Sequence, residues 1–262
     1  GEIRTVRYDP EAVGHTHSDG QAWGHPVLIM ESHRPDHGEI RILEIEMLAG
    51  RAEGDLAVET LWSLAERFPT MQLYTHDGAL RGTHAHEIQK MGIVPVYKQH
   101  RDKDHGEASS KRPGTPREFP LGPATVLQPD GSERTYAIHT RGGHPHIAVL
   151  DEVGTPQLFP LKRVNIERRG RKRGAMYFYN IYRAPAALGG GVTRLRMTRH
   201  RDSEVNREER LHIISEQDPD FAPIYSRRSG VESANNRLKQ SLDERRSRYV
   251  GRAGAMLCLL GA

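Results

Sequence analysis

Apolar residues in this chain recur in short blocks separated by polar stretches rich in glycine and proline. Residues 1–24 are polar, carry several Gly and His, and read as loop. Apolar positions then gather into two runs, 25–31 and 39–47. The second alternates roughly, the pattern of a strand with one buried face. Arg34-Pro35-Asp36-His37-Gly38 between them is turn chemistry, so a hairpin is predicted. Over 54–68 the period changes: Ala57, Leu61, Leu64, Ala65 and Phe68 fall on one helical face, and Pro69 ends it. A strand over 71–77 that ends on Asp77, a helix over about 82–91 and a strand over 93–97 follow. The order strand, strand, helix, strand, helix, strand predicts an α/β layer with a mixed sheet.

Beyond residue 100 the pattern changes again. Residues 101–118 are polar and proline-rich and read as a linker. Residues 124–183 hold short strand-like runs punctuated by turn signals such as Pro129-Asp130-Gly131 and Arg141-Gly142-Gly143, which predicts an antiparallel β insertion. Residues 204–214 and 230–248 read as helices. The layout expected is a catalytic core in two parts, 1–100 and 204–262, interrupted by a linker and β-rich insertion over 101–203.

Composition adds a partner to this picture. The hydrophobic fraction is 36%, low enough to predict a stable core plus long polar segments. The formal net charge is only +4, but the cations are concentrated. One cluster is Arg163, Arg168, Arg169, Arg171, Lys172 and Arg173; others are Arg194, Arg196, Arg199 and Arg201, and Arg245, Arg246 and Arg248. Such runs point to a polyanion, with nucleic acid the first candidate and a solvated surface the alternative. The single cysteine, Cys258, excludes an internal disulfide. No apolar run approaches the roughly 20 residues of a membrane span, and no signal peptide opens the chain, so no membrane partner and a cytoplasmic location are expected. The chain opens on Gly1-Glu2-Ile3 without an initiator methionine and is expected to be a fragment.

The strongest chemical signal is the stretch from Tyr225 to Lys239: Tyr225, two residues, Arg228, three residues, Glu232, six residues, Lys239. On a helix Glu232, Asn236 and Lys239 share one face, while Val231, Ala234, Leu238 and Leu242 form an apolar face that can pack on a sheet. A carboxylate there can hold a divalent metal, and Lys and Arg beside it can hold phosphates, a set suited to phosphodiester chemistry. The spacing resembles the Tyr-Arg-Glu-Lys signature of the insertion-sequence superfamily of DDE transposases, with every interval matched. The second signal is His76-Asp77-Gly78-Ala79-Leu80-Arg81-Gly82, an acid at a strand tip followed by a glycine-containing turn. In the resembled family the second catalytic aspartate lies on such a strand, and members carry insertions between it and the glutamate. The resemblance spans roughly 25–250 and is most specific over 71–98 and 204–245.

The resemblance implies an RNase H-like fold and cleavage and strand transfer at transposon ends. Asp77 and Glu232 would be catalytic carboxylates and ligands of two Mg²⁺ or Mn²⁺ ions, which such sites hold about 3.5–4 Å apart. It also implies Arg228 and Lys239 on DNA phosphates, Tyr225 against the transposon end, and DNA as partner, held by a homodimer in a synaptic complex. The first aspartate of the triad is expected upstream of this chain, with Asp9 and Asp19 as the alternatives within it; without it the chain would be an inactive fragment. Two other function classes compete. His15-Thr16-His17-Ser18-Asp19-Gly20 resembles the opening motif of histidine-rich metal phosphoesterases, but it follows no apolar strand. His84-Ala85-His86 and His144-Pro145-His146 are further His-x-His pairs, read as polar loop histidines. The arginine clusters would equally serve a DNA-binding module without catalysis.

Overall fold

The computed structural model describes residues 13–17, 20–24, 27–34, 39–48, 51–76, 80, 82–99, 118–170, 175–198 and 207–228. It divides into two compact units, Gly1–Thr60 with Arg227–Ala262, and Leu61–Ser226. Among the described residues it is a mixed α/β chain with four α-helices and a seven-stranded antiparallel sheet.

In the first unit, strands β1 (Val13–His17) and β2 (Gly20–Gly24) pair antiparallel, from Val13 opposite Gly24 to His17 opposite Gly20. This corrects the reading of residues 1–24 as loop. Pairing in a ribbon comes from backbone groups, which every non-proline residue carries, so the polar, glycine-bearing sequence hid it. Strands β3 (Val27–Arg34) and β4 (Glu39–Met47) form the predicted hairpin, from Val27 opposite Met47 to Arg34 opposite Glu39. Leu28 and Met30 are buried. The register shifts between Met30 and Glu31, and burial raises the proton affinity of the Glu31 carboxyl. Helix α1 (Glu53–Arg67), which belongs to the first unit up to Thr60 and to the second from Leu61, buries Leu56, Ala57, Thr60, Leu61 and Leu64 along one stripe. Phe68, expected on that face, lies past the last turn and is 39% exposed.

In the second unit, β5 (Leu73–Thr75), α2 (Gly82–Lys90) and β6 (Val94–Val96) follow as predicted. The two strands run parallel, Leu73 opposite Val94 and Thr75 opposite Val96, and form a two-stranded sheet of their own, as β3 and β4 do. Among the described residues the single mixed sheet predicted for these strands is therefore not formed. A parallel pair needs a crossover, and α2 supplies it, with Ala85 and Ile88 fully buried. The β segment then unfolds strand by strand: β7 (Glu118–Leu127), β8 (Glu133–Arg141), β9 (His144–Leu150), β10 (Pro156–Pro160), β11 (Lys162–Gly170), β12 (Met176–Arg183) and β13 (Val192–Arg196). Their order is β10-β9-β8-β7-β13-β12-β11, with every neighbour antiparallel. The predicted Pro129-Asp130-Gly131 turn links β7 to β8, with Gly131 at φ +83° donating to the Gln128 carbonyl. The inner face buries Val126, Ile138, Ile147, Phe178, Tyr182 and Leu195, and Val94 and Val96 of β6 join the same core.

Of the helix predicted over 204–214, the described part, 207–214, is helical only over α3 (Arg207–Arg210). Past it, the His212 N–H donates to the Gly143 carbonyl in the β8–β9 turn, and Leu211, Ile213 and Ile214 are all buried in the sheet core. Three apolar residues within four positions serve an irregular buried segment better than a one-faced helix. A second short helix, α4 (Phe221–Tyr225), and a 3-10 turn (Ser226–Arg228) end the described chain. Of the linker predicted over 101–118, residues 101–117 lie outside the described residues and Glu118 opens β7; the helix predicted over 230–248 also lies outside them. No helix among the described residues is long and apolar enough to cross a membrane.

Candidate functional site

β5 ends at Thr75, two positions before Asp77 in the sequence. His76 extends the strand, its N–H donating to the Val96 carbonyl at 3.4 Å, and Leu80 beyond is buried. Asp77 itself, Glu232 and Lys239 lie outside the described residues, as do Asp9 and Asp19. Among the described residues, no group of His, Cys, Asp and Glu side chains is arranged to hold a metal ion.

The strand tip is backed by a run of stacked rings. Tyr74 lies 5.8 Å from His76, His76 4.7 Å from Tyr97, and Tyr97 4.3 Å from His212, centroid to centroid. His76, Tyr97 and His212 are all buried. The Tyr97 hydroxyl donates to the Glu208 carbonyl at 2.8 Å. Burial, then Glu209 and Glu208, push this phenol far above its ordinary range, so it stays a neutral donor. The Glu208 side chain is only 2% exposed and meets His86 Nδ1 at 2.7 Å, which ties α3 to α2. The His84-Ala85-His86 pair therefore stands on a helix with an acidic partner, not in a polar loop. At the far end of the stack, Gly143 takes φ +75°, and a Cβ there would lie 2.8 Å from the His212 ring. Only glycine permits both the turn and the approach.

His144 and His146 correct the loop reading a second time, because both are buried on β9. The Leu161 carbonyl, 2.7 Å from His144 Nε2, can only accept, so it fixes the proton of a neutral ring there. Nδ1 is then left to Ser215 Oγ at 2.7 Å. The same hydroxyl lies 2.9 Å from Asp218 Oδ2, which also accepts the Ser215 N–H at 2.7 Å. Asp218 meets Arg163 Nε at 3.0 Å, and Arg163 Nη2 reaches Asp220 at 2.6 Å. Burial lowers the proton affinity of His144 and His146; the Asp218 charge opposes this at His144. These rings are buried hydrogen-bond partners on β9, not polar loop histidines.

That network immediately precedes α4, and so it fixes the approach to the signature stretch. Tyr225 is half-buried against the sheet core. Its ring stacks on Phe221 at 5.0 Å, and Lys98 Nζ lies 5.3 Å from its centroid. Lys98 follows β6 by two positions, so the structure brings Tyr225 to the C-terminal side of β6, the parallel partner of the strand leading to Asp77. Arg228 lies in the 3-10 turn and is half-buried.

The arginine clusters separate by strand alternation. Arg163, 10% exposed at its side chain, is taken up by Asp218 and Asp220. Arg168 donates to the Gly92 carbonyl at 3.2 Å. Arg169, Arg194 and Arg196 surround Tyr177 and Tyr179 on the opposite face of the sheet. Arg171, Lys172, Arg173, Arg199, Arg201, Arg245, Arg246 and Arg248 lie outside the described residues. Two signals here were readable in sequence. Tyr177-x-Tyr179 and Arg194-x-Arg196 repeat at the strand period, and Ser215-x-x-Asp218 is a local turn motif. Comparison with known protein families, curated proteins and solved structures finds no match to this chain.

Proposed function

We propose that this chain is the catalytic region of a DDE-type DNA transposase built on an RNase H-like core. The observation that carries the reading is the seat of Tyr225, the first residue of the signature stretch. It packs beside Lys98, just past the C-terminal end of β6, and β6 is the parallel partner of the strand that runs into Asp77. Open α/β sheets bind ligands at the C-terminal ends of their parallel strands. One end of the Tyr-Arg-Glu-Lys stretch therefore starts at the edge to which Asp77 belongs by sequence. The order α1, β5, α2, β6, with its parallel pair, supports an RNase H-like core, and the antiparallel strands of 118–196 support the insertion.

Asp77 and Glu232 are hard oxygen donors, which fits Mg²⁺ or Mn²⁺. Bound there, a pair of ions would supply Lewis acidity to the attacking and leaving oxygens of a phosphodiester. The chain's own tasks are to orient and to hold charge. Arg228 and Lys239 would carry DNA phosphates, and Tyr225, already fixed by Phe221 and Lys98, would brace the DNA end.

The test is calorimetric titration of Mn²⁺ into the full chain and into Asp77→Asn and Glu232→Gln. Each substitution removes a charged ligand and is expected to weaken binding at least about tenfold. Equal Mn²⁺ affinity in the parent and both variants would falsify the reading.

A further inference from the structure

We propose that the outer face of β11–β13 is a DNA-backbone contact surface, formed by Arg169, Arg194 and Arg196 laid over Tyr177 and Tyr179. The cross-strand register puts these side chains on one face. Arg169 stands opposite Tyr177, Glu167 opposite Tyr179, and Asn165 opposite Ile181. From the other side, Arg196 stands opposite Tyr179 and Arg194 opposite Ile181. The alternate residues Phe178, Asn180, Tyr182 and Leu195 are buried in the core, so the outer face is not needed for core packing.

The tyrosines hold the guanidinium groups. Arg194 lies 3.6 Å above the Tyr179 ring, Arg169 6.0 Å from the same ring, and Arg196 5.3 Å from Tyr177. A guanidinium stacked on a ring spends one flat face and keeps in-plane donors for phosphate oxygens. Part of the side-chain entropy that binding would otherwise cost is thereby already spent. Glu167 Oε2 accepts from Arg194 at 3.0 and 2.8 Å and from Arg169 at 3.2 Å, which steadies the pair. The Arg169 and Arg194 side chains remain 58% and 38% exposed.

Charge selects the occupant. Among the described residues of β11–β13 on this face, Lys162, Arg169, Arg183, Arg194 and Arg196 meet a single carboxylate, Glu167. Arg194 and Arg196, two positions apart on one strand, are about 6.6 Å apart along it. A row of fixed cations with planar donors fits the repeating phosphates of a DNA strand better than an isolated anion. The surface deepens the transposase reading in that it takes DNA as partner, but it makes no use of Asp77 or Glu232.

The test is fluorescence anisotropy of a labelled DNA duplex of arbitrary sequence, titrated with the full chain over a range of salt. The combined variant Arg169→Gln, Arg194→Gln and Arg196→Gln is expected to lower the log–log salt slope by about 2–3, since each phosphate contact contributes about 0.9. Glu167→Gln removes the one negative group and is expected to raise affinity severalfold, a gain that a misfolded chain cannot imitate. An unchanged slope in the triple variant with unchanged affinity in Glu167→Gln overturns the proposal, as does binding to anionic lipid vesicles but not to the duplex. Asp77→Asn combined with Glu232→Gln separates the two readings. If it keeps full DNA affinity and full Mn²⁺ affinity, the metal reading fails and this surface stands.

Discussion

Arg163 and Arg194 belong to neighbouring basic runs of one chain, yet the sheet gives them opposite surroundings. Arg163 is enclosed, with Asp218 and Asp220 on its nitrogens. Arg194 is open, stacked on Tyr179 and paired with Glu167 at a partly exposed site. The register irregularity in β11 between Arg163 and Asn165 contributes to this sorting. An extra residue in a strand changes which side chains share a face. Charge density along a sequence therefore says little about where charge acts. Strand period and bulges decide which cations hold the fold and which face a partner.

The sharpest way to break this contrast is on the enclosed side. Asp218→Ala would leave the Arg163 guanidinium buried without its main partner and would remove the acceptor of the Ser215 N–H. Removing one member of a buried pair costs about 3–5 kcal/mol. Urea denaturation should show a loss of that size, and a loss under about 1 kcal/mol would mean the network is not structural. Next in size is Gly143→Ala. It combines φ +75° with a Cβ placed 2.8 Å from the His212 ring. Left-handed backbone costs a non-glycine residue about 1–2 kcal/mol and overpacking about 1–3 kcal/mol, so a loss of about 2–4 kcal/mol is expected in the same measurement.

The elements of the α/β part were legible because their residues obey one period at a time, whereas their pairing was not: β3–β4 and β5–β6 are separate two-stranded sheets, not one mixed sheet. Leu61 and Leu64 mark a helix stripe, and β5, α2 and β6 stand where the pattern put them. The hairpin of β3 and β4 was legible for the same reason. The β1–β2 ribbon was not, because backbone pairing leaves no trace in a polar, glycine-bearing sequence. The segment after α3 misled because Leu211, Ile213 and Ile214 look like helix positions, while their burial comes from the sheet beneath. The histidines misled most. Composition shows fifteen of them, but burial of His144 and His146 on β9 and the reach of His86 to Glu208 are long-range facts. Of the candidate site, Tyr225 and Arg228 are in the described chain, whereas Asp77, Glu232 and Lys239 are known by their sequence positions alone.

Protonation sharpens the contrast further, with an effect smaller than loss of Asp218. Burial lowers the proton affinity of His144 and His146 in the fold, so the unfolded chain binds protons more readily. Stability is then fully present above the unfolded value of about 6.5 and is lost as pH falls below it toward the folded values. Urea midpoints should fall between pH 7.5 and pH 5. His146→Gln, which keeps a donor for the His144 carbonyl but cannot titrate, should flatten that fall. An identical pH profile in the variant would show that His146 does not contribute.

The smallest stability effect is expected on the open face, and its smallness is what defines that face. Arg194 donates twice to Glu167 and covers the Tyr179 ring, so a count of contacts would make it as important as Arg163. The environments decide otherwise. Arg163 has a 2% exposed carboxylate as partner, whereas Glu167 and Arg194 retain 27% and 38% exposure. Water competes for exposed groups and salt screens them, so such a pair contributes about 0–1 kcal/mol. The cation–π contact adds about 0.5–1 kcal/mol at an exposed site, and the glutamine side chain of Arg194→Gln would still cover part of the ring. Arg194→Gln should therefore move the urea midpoint by an amount equivalent to no more than about 1 kcal/mol, and the shift should shrink in high salt. A loss as large as that of Asp218→Ala would make Arg194 a structural cation like Arg163 and would erase the division between the two faces.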